Sequence, residues 1–244
     1  MDFAPTATGY LELAGGLRMY YETWGSGSPL VLLHGGMLTI DLNFATLVPT
    51  LAATHQVIGV ELQGHGRTND IERPITPAAL TGDVVALLDH LGIDRAHVLG
   101  HSMGGAVTLE LAVNHGDRVL SVVPVSASVR PDGMHEDLTD PAKQATSTRM
   151  PTQEDFAEFS QAYRRLSPHP EPFDNFIAAL TASEAALQGW ADGQLAGMGA
   201  PALLVTRDNG FVKLHHQPRI PRRAPGAAHA STPGPPPLHG ARAG

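Results

Sequence analysis

Cysteine is absent from this 244-residue chain, and its absence excludes several kinds of site. Without a thiol the chain can form no disulfide, no thiolate zinc site and no cysteine nucleophile. Any nucleophilic or structural role in this protein therefore belongs to other residue types.

Long apolar runs are also missing. No stretch approaches the roughly 18 apolar residues that a membrane-spanning helix needs. The first residues, Met1–Pro5, lack the basic and apolar regions of a signal peptide. We therefore expect a cytoplasmic protein with no membrane segment.

Basic residues are outnumbered, with 16 Lys and Arg against 24 Asp and Glu, which gives a net charge of −8. Binding to phosphate groups requires a basic surface, so this balance argues against a nucleic-acid partner and gives no reason to expect binding to an anionic membrane surface.

The length of the chain suffices for one domain with its own core.

Short apolar runs alternate with amphipathic stretches through the first 206 residues. The runs that predict strands are Leu30–Leu33, Gln56–Val60, His97–Leu99, Val119–Val125 and Ala202–Thr206, and a hairpin is predicted around Ala14–Gly16. One predicted helix begins at Thr76–Pro77 and stops at Gly92, and a second covers Met103–Asn114. This alternation predicts an α/β fold, a mostly parallel sheet with helices on both faces.

The sequence divides into four parts. Residues 1–127 form the first part of the predicted core. Residues 128–195 contain short helical stretches broken by proline, which predict a small helical cap and a return helix. Residues 196–214 carry the last recognisable strand of the core, and residues 215–244 form an atypical tail.

The tail differs from the rest of the chain in composition. Residues 215–244 contain seven prolines, six alanines, four arginines and no acidic residue, and the net charge changes from −13 over residues 1–206 to +5 over residues 207–244. Such a composition predicts neither an apolar strand nor an amphipathic helix. We interpret the segment as divergent or as translated out of frame, which would leave the core short of a strand. The alternative is a natural proline-rich tail.

The strongest motif is Gly100-His101-Ser102-Met103-Gly104, which lies between a predicted strand and a predicted helix. A G-x-S-x-G pattern in this setting is typical of the nucleophile elbow, a tight turn that presents a serine above the sheet. The start of the following helix favours negative charge on a developing oxyanion. Ser102 is therefore the predicted nucleophile.

A second motif, His34-Gly35-Gly36-Met37, follows an earlier apolar strand. Its backbone N–H of Gly36, or that of Met37, is predicted to join the N–H of Met103 in an oxyanion hole. His34 is interpreted as a hydrogen-bonded structural residue. The loop Gly64-His65-Gly66-Arg67-Thr68 is predicted to shape a turn beside the site, without a catalytic role.

With these three motifs in order, the chain resembles the esterase, lactonase and haloperoxidase-like branch of the α/β-hydrolase superfamily, over about residues 9–206. The resemblance implies a serine hydrolase that acts on carboxylic esters or lactones and needs no metal or cofactor. A serine nucleophile argues against the dehalogenase and epoxide-hydrolase branches, which use an aspartate at that position.

The resemblance also implies a triad in the order serine, acid, histidine. Relatives carry the acid after the strand that matches Ala202–Thr206, where this chain has Gly210 in the acid's place. Asp208 is the carboxylate in reach there, and Asp132 is the alternative acid, because some members of the superfamily take theirs after the preceding strand. Because Gly210 stands at the acid's expected position, the acid is the weakest part of the predicted triad, and we expect a poor catalyst.

The histidine is expected in a loop about 25 to 30 residues after the acid. His239 lies nearest that position, and His229 is the alternative base. We therefore predict Ser102, Asp208 and His239 as the triad.

The expected partner is a small-molecule ester or lactone, and the sequence leaves open a homo-oligomer. Six apolar residues of the cap are predicted to line the acyl pocket or to pack the cap's own core: Met134, Met150, Phe156, Phe159, Phe173 and Phe176. The alternative function is that of a catalytically impaired hydrolase scaffold that binds a ligand or partner.

Overall fold

An eight-stranded sheet forms the centre of the computed structural model, which describes residues 4–170, 172–185, 187–207, 210–213 and 228–232. The strands are β1 (Ala7–Glu12), β2 (Arg18–Trp24), β3 (Ser28–Leu33), β4 (His55–Val60), β5 (Ala96–His101), β6 (Val119–Val125), β7 (Leu203–Arg207) and β8 (Ala228–Thr232). Their order is β1-β2-β4-β3-β5-β6-β7-β8. The pairs β1–β2 and β2–β4 are antiparallel, and the pairs from β4 through β3 to β8 are parallel. The predicted α/β class is confirmed.

Nine α-helices are described in these ranges: α1 (Ile40–Phe44), α2 (Val48–Leu51), α3 (Pro77–His90), α4 (Met103–Asn114), α5 (Glu136–Thr139), α6 (Pro141–Gln144), α7 (Gln153–Leu166), α8 (Phe173–Ala185) and α9 (Asp192–Ala196). Helix α3 begins as predicted, with the Thr76 side chain accepting a hydrogen bond from the N–H of Ala79 at 3.2 Å and Pro77 in the first turn. Helix α4 has the predicted bounds. The short helices α1 and α2 carry no periodic pattern long enough to predict them.

The core lies on both faces of the central strands. Side chains alternate along a strand, so Val31 and Leu33 of β3 enter one apolar cluster, which includes residues of α3 and α4. Leu30 and Leu32 enter the other cluster, which includes residues of α1 and α2. Coverage of both faces explains why these strands read as continuous apolar runs.

The segment predicted as a cap lies between β6 and β7 and contains α5 to α9. Helix α7 begins with a capping box in which the side chains of Thr152 and Asp155 each bond the other's backbone N–H. The Trp190 indole N–H donates to Glu110 of α4 at 2.7 Å, which ties the end of the cap to the core.

The tail supplies a strand, although its composition predicted no apolar one. Strand β8 pairs in parallel with β7 over five register positions, from Leu203 opposite Ala228 to Arg207 opposite Thr232. Pairing at a sheet edge uses backbone groups, which small residues such as alanine and serine carry as well as valine does. The composition argument excluded apolar burial, and backbone pairing does not depend on it.

Candidate active site

Ser102 occupies the tight turn between β5 and α4. Its backbone has φ 51° and ψ −111°, a conformation that residues other than glycine rarely adopt. Its N–H donates to the carbonyl of Val125 at 2.8 Å, and its carbonyl accepts from Ala106 at 3.0 Å. Strained backbone persists only where the surroundings hold it, and these bonds do so.

Two glycines allow this turn to form. A side chain at Gly100 would overlap the carbonyl oxygen of Gly104. A side chain at Gly104 would overlap the carbonyl oxygen of Leu33 in β3. Gly104 also donates its N–H to the carbonyl of His34 at 3.1 Å, so α4 begins in direct contact with the loop after β3. The glycines of the sequence motif are therefore required by close packing.

The loop after β3 and the first residue of α4 bring backbone N–H groups to the cavity that Ser102 lines. Gly36 and Met103 both line this cavity, and within the described residues neither N–H donates a hydrogen bond. The prediction for Met37 needs correction. Its N–H already donates to Nε2 of His65 at 3.2 Å and is not free to bind an oxyanion.

Two buried histidines support this loop. His34 donates from Nδ1 to the Gly35 carbonyl at 2.8 Å and accepts from the Leu62 N–H at 3.0 Å, in agreement with its predicted structural role. Burial lowers the pKa of His34 to about 3 and that of His65 to about 4, so both rings are neutral near pH 7. His65 lies in the turn that its glycine neighbours predict, with Gly64 at φ 74° and Gly66 at φ 54°.

Asn43 connects the loop after β3 to the turn that holds Ser102, and no sequence pattern predicted this contact. Its Oδ1 accepts the N–H of Gly35 at 2.9 Å and lies 3.2 Å from Nδ1 of His101. The residue sits in α1, whose sequence carries no motif. One amide oxygen therefore holds two loops in register, and this pairing follows from the fold alone.

The cavity at Ser102 has a volume of ≈ 260 Å³. Of the six apolar cap residues, Met134, Met150 and Phe156 line it. The other three pack within the cap, where the Phe176 ring stacks on Tyr163 with centroids 4.7 Å apart. Two further lining residues, Phe211 and Val212, come from the segment after β7. That segment pairs with the start of the cap, because Lys213 donates its N–H to the Gly133 carbonyl at 2.8 Å.

The structure describes only some of the residues predicted as acid or base. Asp208 and His239 lie outside the described residues. Asp132 is exposed and is not among the residues that line the cavity. His229 lies within β8, opposite Leu204, and Gly210 is buried just after β7.

Histidine, aspartate and glutamate side chains in the described ranges form no cluster of three or more that could hold a metal ion. In the part of the chain that the structure describes, no helix is both long and apolar enough to cross a membrane.

A profile of the family described as alpha/beta hydrolase fold matches residues 28–166. The chain is 37% identical over 135 residues to the dihydrolipoyllysine-residue acetyltransferase component of the acetoin cleaving system of Cupriavidus necator, a match that covers 55% of this chain and 36% of that protein. The chain thus spans well under two thirds of the length of that relative.

Solved structures resemble the chain over most of its length. An enol-lactonase from Burkholderia xenovorans has a TM-score of 0.69 and 22% identity, with 91% of this chain and 90% of that chain covered. A carboxylesterase structure from Nitrososphaera gargenis has a TM-score of 0.72 and 21% identity, with 92% and 89% covered. At these identities the likeness concerns the fold.

Proposed function

This chain belongs to the α/β-hydrolase fold family, and we propose that it hydrolyses carboxylic esters or lactones through an acyl-enzyme on Ser102. The observation that carries the proposal is the position of Ser102 in a strained turn, at the wall of a cavity that Gly36 and Met103 also line, two residues whose N–H groups donate no hydrogen bond within the described part of the chain. A hydroxyl that lines the same cavity as two N–H donors without a described partner suits addition to a carbonyl, because such donors can stabilise the negative charge that forms.

The proposed reaction has two halves. Ser102 Oγ attacks the carbonyl carbon as a histidine takes its proton, and the Gly36 and Met103 N–H groups bind the resulting oxyanion. Collapse of this intermediate expels the alcohol, which receives the proton, and leaves the acyl group on Ser102. Water then attacks the acyl-enzyme with the same histidine as base, and release of the acid restores the serine.

The strand order supports His239 over His229 as the base. Strands β5 to β8 are parallel, so their carboxyl ends share one edge of the sheet, the edge from which Ser102 follows β5. His229 lies three positions before the end of β8, whereas His239 follows that end in sequence. The same argument supports Asp208, which directly follows β7, over the exposed Asp132.

The cavity lining supports an uncharged substrate. No Asp, Glu, Lys or Arg side chain is among the described residues that line it, and most of the lining is aliphatic, aromatic or methionine. A carboxylate or ammonium group bound there would lose its hydration without a charged partner from those residues, which is costly. The volume of ≈ 260 Å³ lies below the range of about 300–1,000 Å³ common for drug-sized ligands, which supports short acyl groups.

Replacement of the nucleophile tests the reaction. We expect Ser102→Ala to lower kcat on a short-chain aryl ester by at least about 10⁴-fold, because it removes the hydroxyl that the turn between β5 and α4 presents to the cavity. Ser26→Ala is the matched control, since Ser26 is exposed in the turn between β2 and β3. Unchanged hydrolysis by Ser102→Ala would exclude Ser102 as the nucleophile.

A panel of aryl esters tests the substrate class. We expect kcat/KM to be highest for short uncharged acyl groups and to fall at least about tenfold for acyl groups of the same length that end in a carboxylate. Equal rates on both would contradict the argument from the lining. An added alcohol acceptor in the same assay separates hydrolysis from acyl transfer.

One observation favours the impaired scaffold as a second function. Apart from His101, whose Nδ1 is within reach of Asn43, no imidazole or carboxylate side chain in the described ranges lines the cavity. Without an acid and base, Ser102 would react with an activated ester once and keep the acyl group. Intact-protein mass spectrometry distinguishes the cases, because a lasting acyl adduct without release indicates the scaffold and release indicates the enzyme.

A further inference from the structure

Met37, in the loop that follows β3, has an unusual backbone conformation. Its φ is 65°, in the left-handed region that residues other than glycine seldom adopt. Such a conformation persists only where neighbouring groups fix it. Among the described residues, the hydrogen bond that fixes this amide is the one from the Met37 N–H to Nε2 of His65, at 3.2 Å.

His65 is itself held firmly. Its Nδ1 donates to the Gln63 carbonyl at 2.9 Å, which leaves Nε2 as an acceptor. The residue is only 1% exposed, so its ring is shielded from bulk water. Its ring contacts the His34 ring on one side and the Phe176 ring of α8 on another, each with centroids 4.9 Å apart.

Hydrogen bonds fix the two peptide planes that flank Gly36. The Gly35 carbonyl accepts from His34 at 2.8 Å and from the Leu38 N–H at 3.2 Å, and because a trans peptide is planar, the Gly36 N–H in the same plane points the opposite way. The next plane contains the Met37 N–H, which His65 holds. With both planes fixed, the Gly36 N–H has one direction available.

We propose that His65 is a positioning residue of the oxyanion hole, which acts by holding the Met37 amide so that the Gly36 N–H stays directed at the cavity. The proposal rests on the proposed function, since it assigns a role within that reaction. His65 is not among the residues that line the cavity with Ser102. Its effect falls on the transition state, because the Gly36 donor gains most when the oxyanion forms.

Two substitutions separate the hydrogen bond from ring packing. His65→Phe keeps a flat ring against His34 and Phe176 and removes the acceptor, whereas His65→Gln supplies an oxygen acceptor. We expect His65→Phe to lower kcat on an aryl ester by about 10- to 100-fold with KM changed less than about twofold, and His65→Gln to recover most of that loss. Wild-type kcat in His65→Phe, or equal losses in both variants, would overturn the proposal.

Labelling of Ser102 by an alkyl fluorophosphonate provides a readout that needs no turnover. Addition to phosphorus also develops an oxyanion, so we expect His65→Phe to label about 10-fold more slowly than the wild type. If no ester is turned over but this difference in labelling is found, the proposed hydrolysis fails and the role of His65 stands. If esters are hydrolysed and both proteins label equally fast, the role of His65 fails alone.

Side-chain ¹⁵N NMR of the wild-type protein tests the geometry even if His65→Phe does not fold. We expect a neutral His65 at pH 7 with its proton on Nδ1, the less common tautomer, because Nε2 accepts the Met37 N–H. A proton on Nε2 would contradict the hydrogen bond and with it the proposal.

Discussion

Strands β5 and β6 pair over six register positions, whereas β6 and β7 pair at one, Val125 opposite Val205, with an isolated bridge between Val122 and Ala202. The strands also differ in composition. Strand β6 is mainly valine, whereas β8 is built of alanine, histidine, serine and threonine. We call strands β1 to β6 the amino-terminal half of the sheet and strands β7 and β8 the carboxyl-terminal half. The amino-terminal half is held by packing on both faces. In the carboxyl-terminal half, β7 also has buried side chains, at Leu204 and Thr206, but it joins β6 at that single register position.

The two halves supply different parts of the proposed reaction. Ser102, Gly36 and Met103 come from the amino-terminal half, where close-packed glycines and two buried histidines hold the backbone. The proposed acid and base, Asp208 and His239, come from the end of the chain. We therefore expect the acid–base pair, rather than the nucleophile turn or the loop after β3, to limit the rate.

After loss of the Ser102 hydroxyl, removal of a proposed oxyanion donor is the change in the amino-terminal half for which we expect the largest effect. Gly36→Pro deletes the N–H, and we expect kcat to fall by about 10²- to 10³-fold. Gly36→Ala is the control, because it keeps the N–H and its new carbon would lie 3.8 Å from the nearest atom, Cδ1 of Leu180. Steady-state kinetics on one aryl ester measures both. Equal rates in the two variants, each folded, would remove Gly36 from the oxyanion hole.

Acid is expected to weaken the amino-terminal half through its buried histidines. Burial lowers the pKa of His65 from 6.5 to about 4, so below pH 6.5 the unfolded chain takes up a proton that the folded chain does not. Stability is therefore lost as pH falls from about 6.5 towards 4. Relative to His65→Gln, the wild type should lose about 1.4 kcal/mol of unfolding free energy per pH unit in that window.

Urea unfolding of both proteins between pH 4 and pH 7.5 measures this difference, and groups other than residue 65 cancel in the comparison. Parallel curves for the two proteins would mean that His65 is protonated in the folded state, contrary to the hydrogen bond from Met37.

The smallest expected effect is a difference in local opening between the two halves of the sheet. Backbone amides of β7 and β8 should exchange with deuterium at least about tenfold faster than those of β5 and β6, because fewer register pairs hold them and β7 joins β6 at only one position. Hydrogen exchange followed by NMR measures this strand by strand. Uniform protection across β5 to β8 would contradict the comparison between the halves.

The sequence predicts the amino-terminal half well. The apolar runs, the Thr76 cap and the glycines around Ser102 are local signals, and each corresponds to an element or turn in the fold. Links between distant residues were not predictable, because Asn43 meets Gly35 and His101 only after folding. The same holds for Met37, whose N–H direction depends on a ring 28 positions away.

The carboxyl-terminal half was predicted less well for a different reason. The composition of residues 215–244 indicates little apolar burial, and from this no apolar strand was expected, yet Ala228–Thr232 pairs with β7. Pairing at an edge depends on backbone hydrogen bonds, which composition does not report. The resemblance gave the positions where an acid and histidine are expected, and at the acid's position the chain has Gly210.

The most direct test of the central claim, that the acid limits a site whose nucleophile half is complete, is the rate of Gly210→Asp on an activated ester. Gly210→Asn is its matched control, with the same size and no charge, and Asp208→Asn and Asp132→Asn are assayed beside it at equal folded concentration. We predict that Gly210→Asp raises kcat by at least about tenfold and that Gly210→Asn does not, because a carboxylate there would hold the histidine in its reactive tautomer. Loss of most activity in Asp208→Asn alone, with no gain from Gly210→Asp, would contradict the claim.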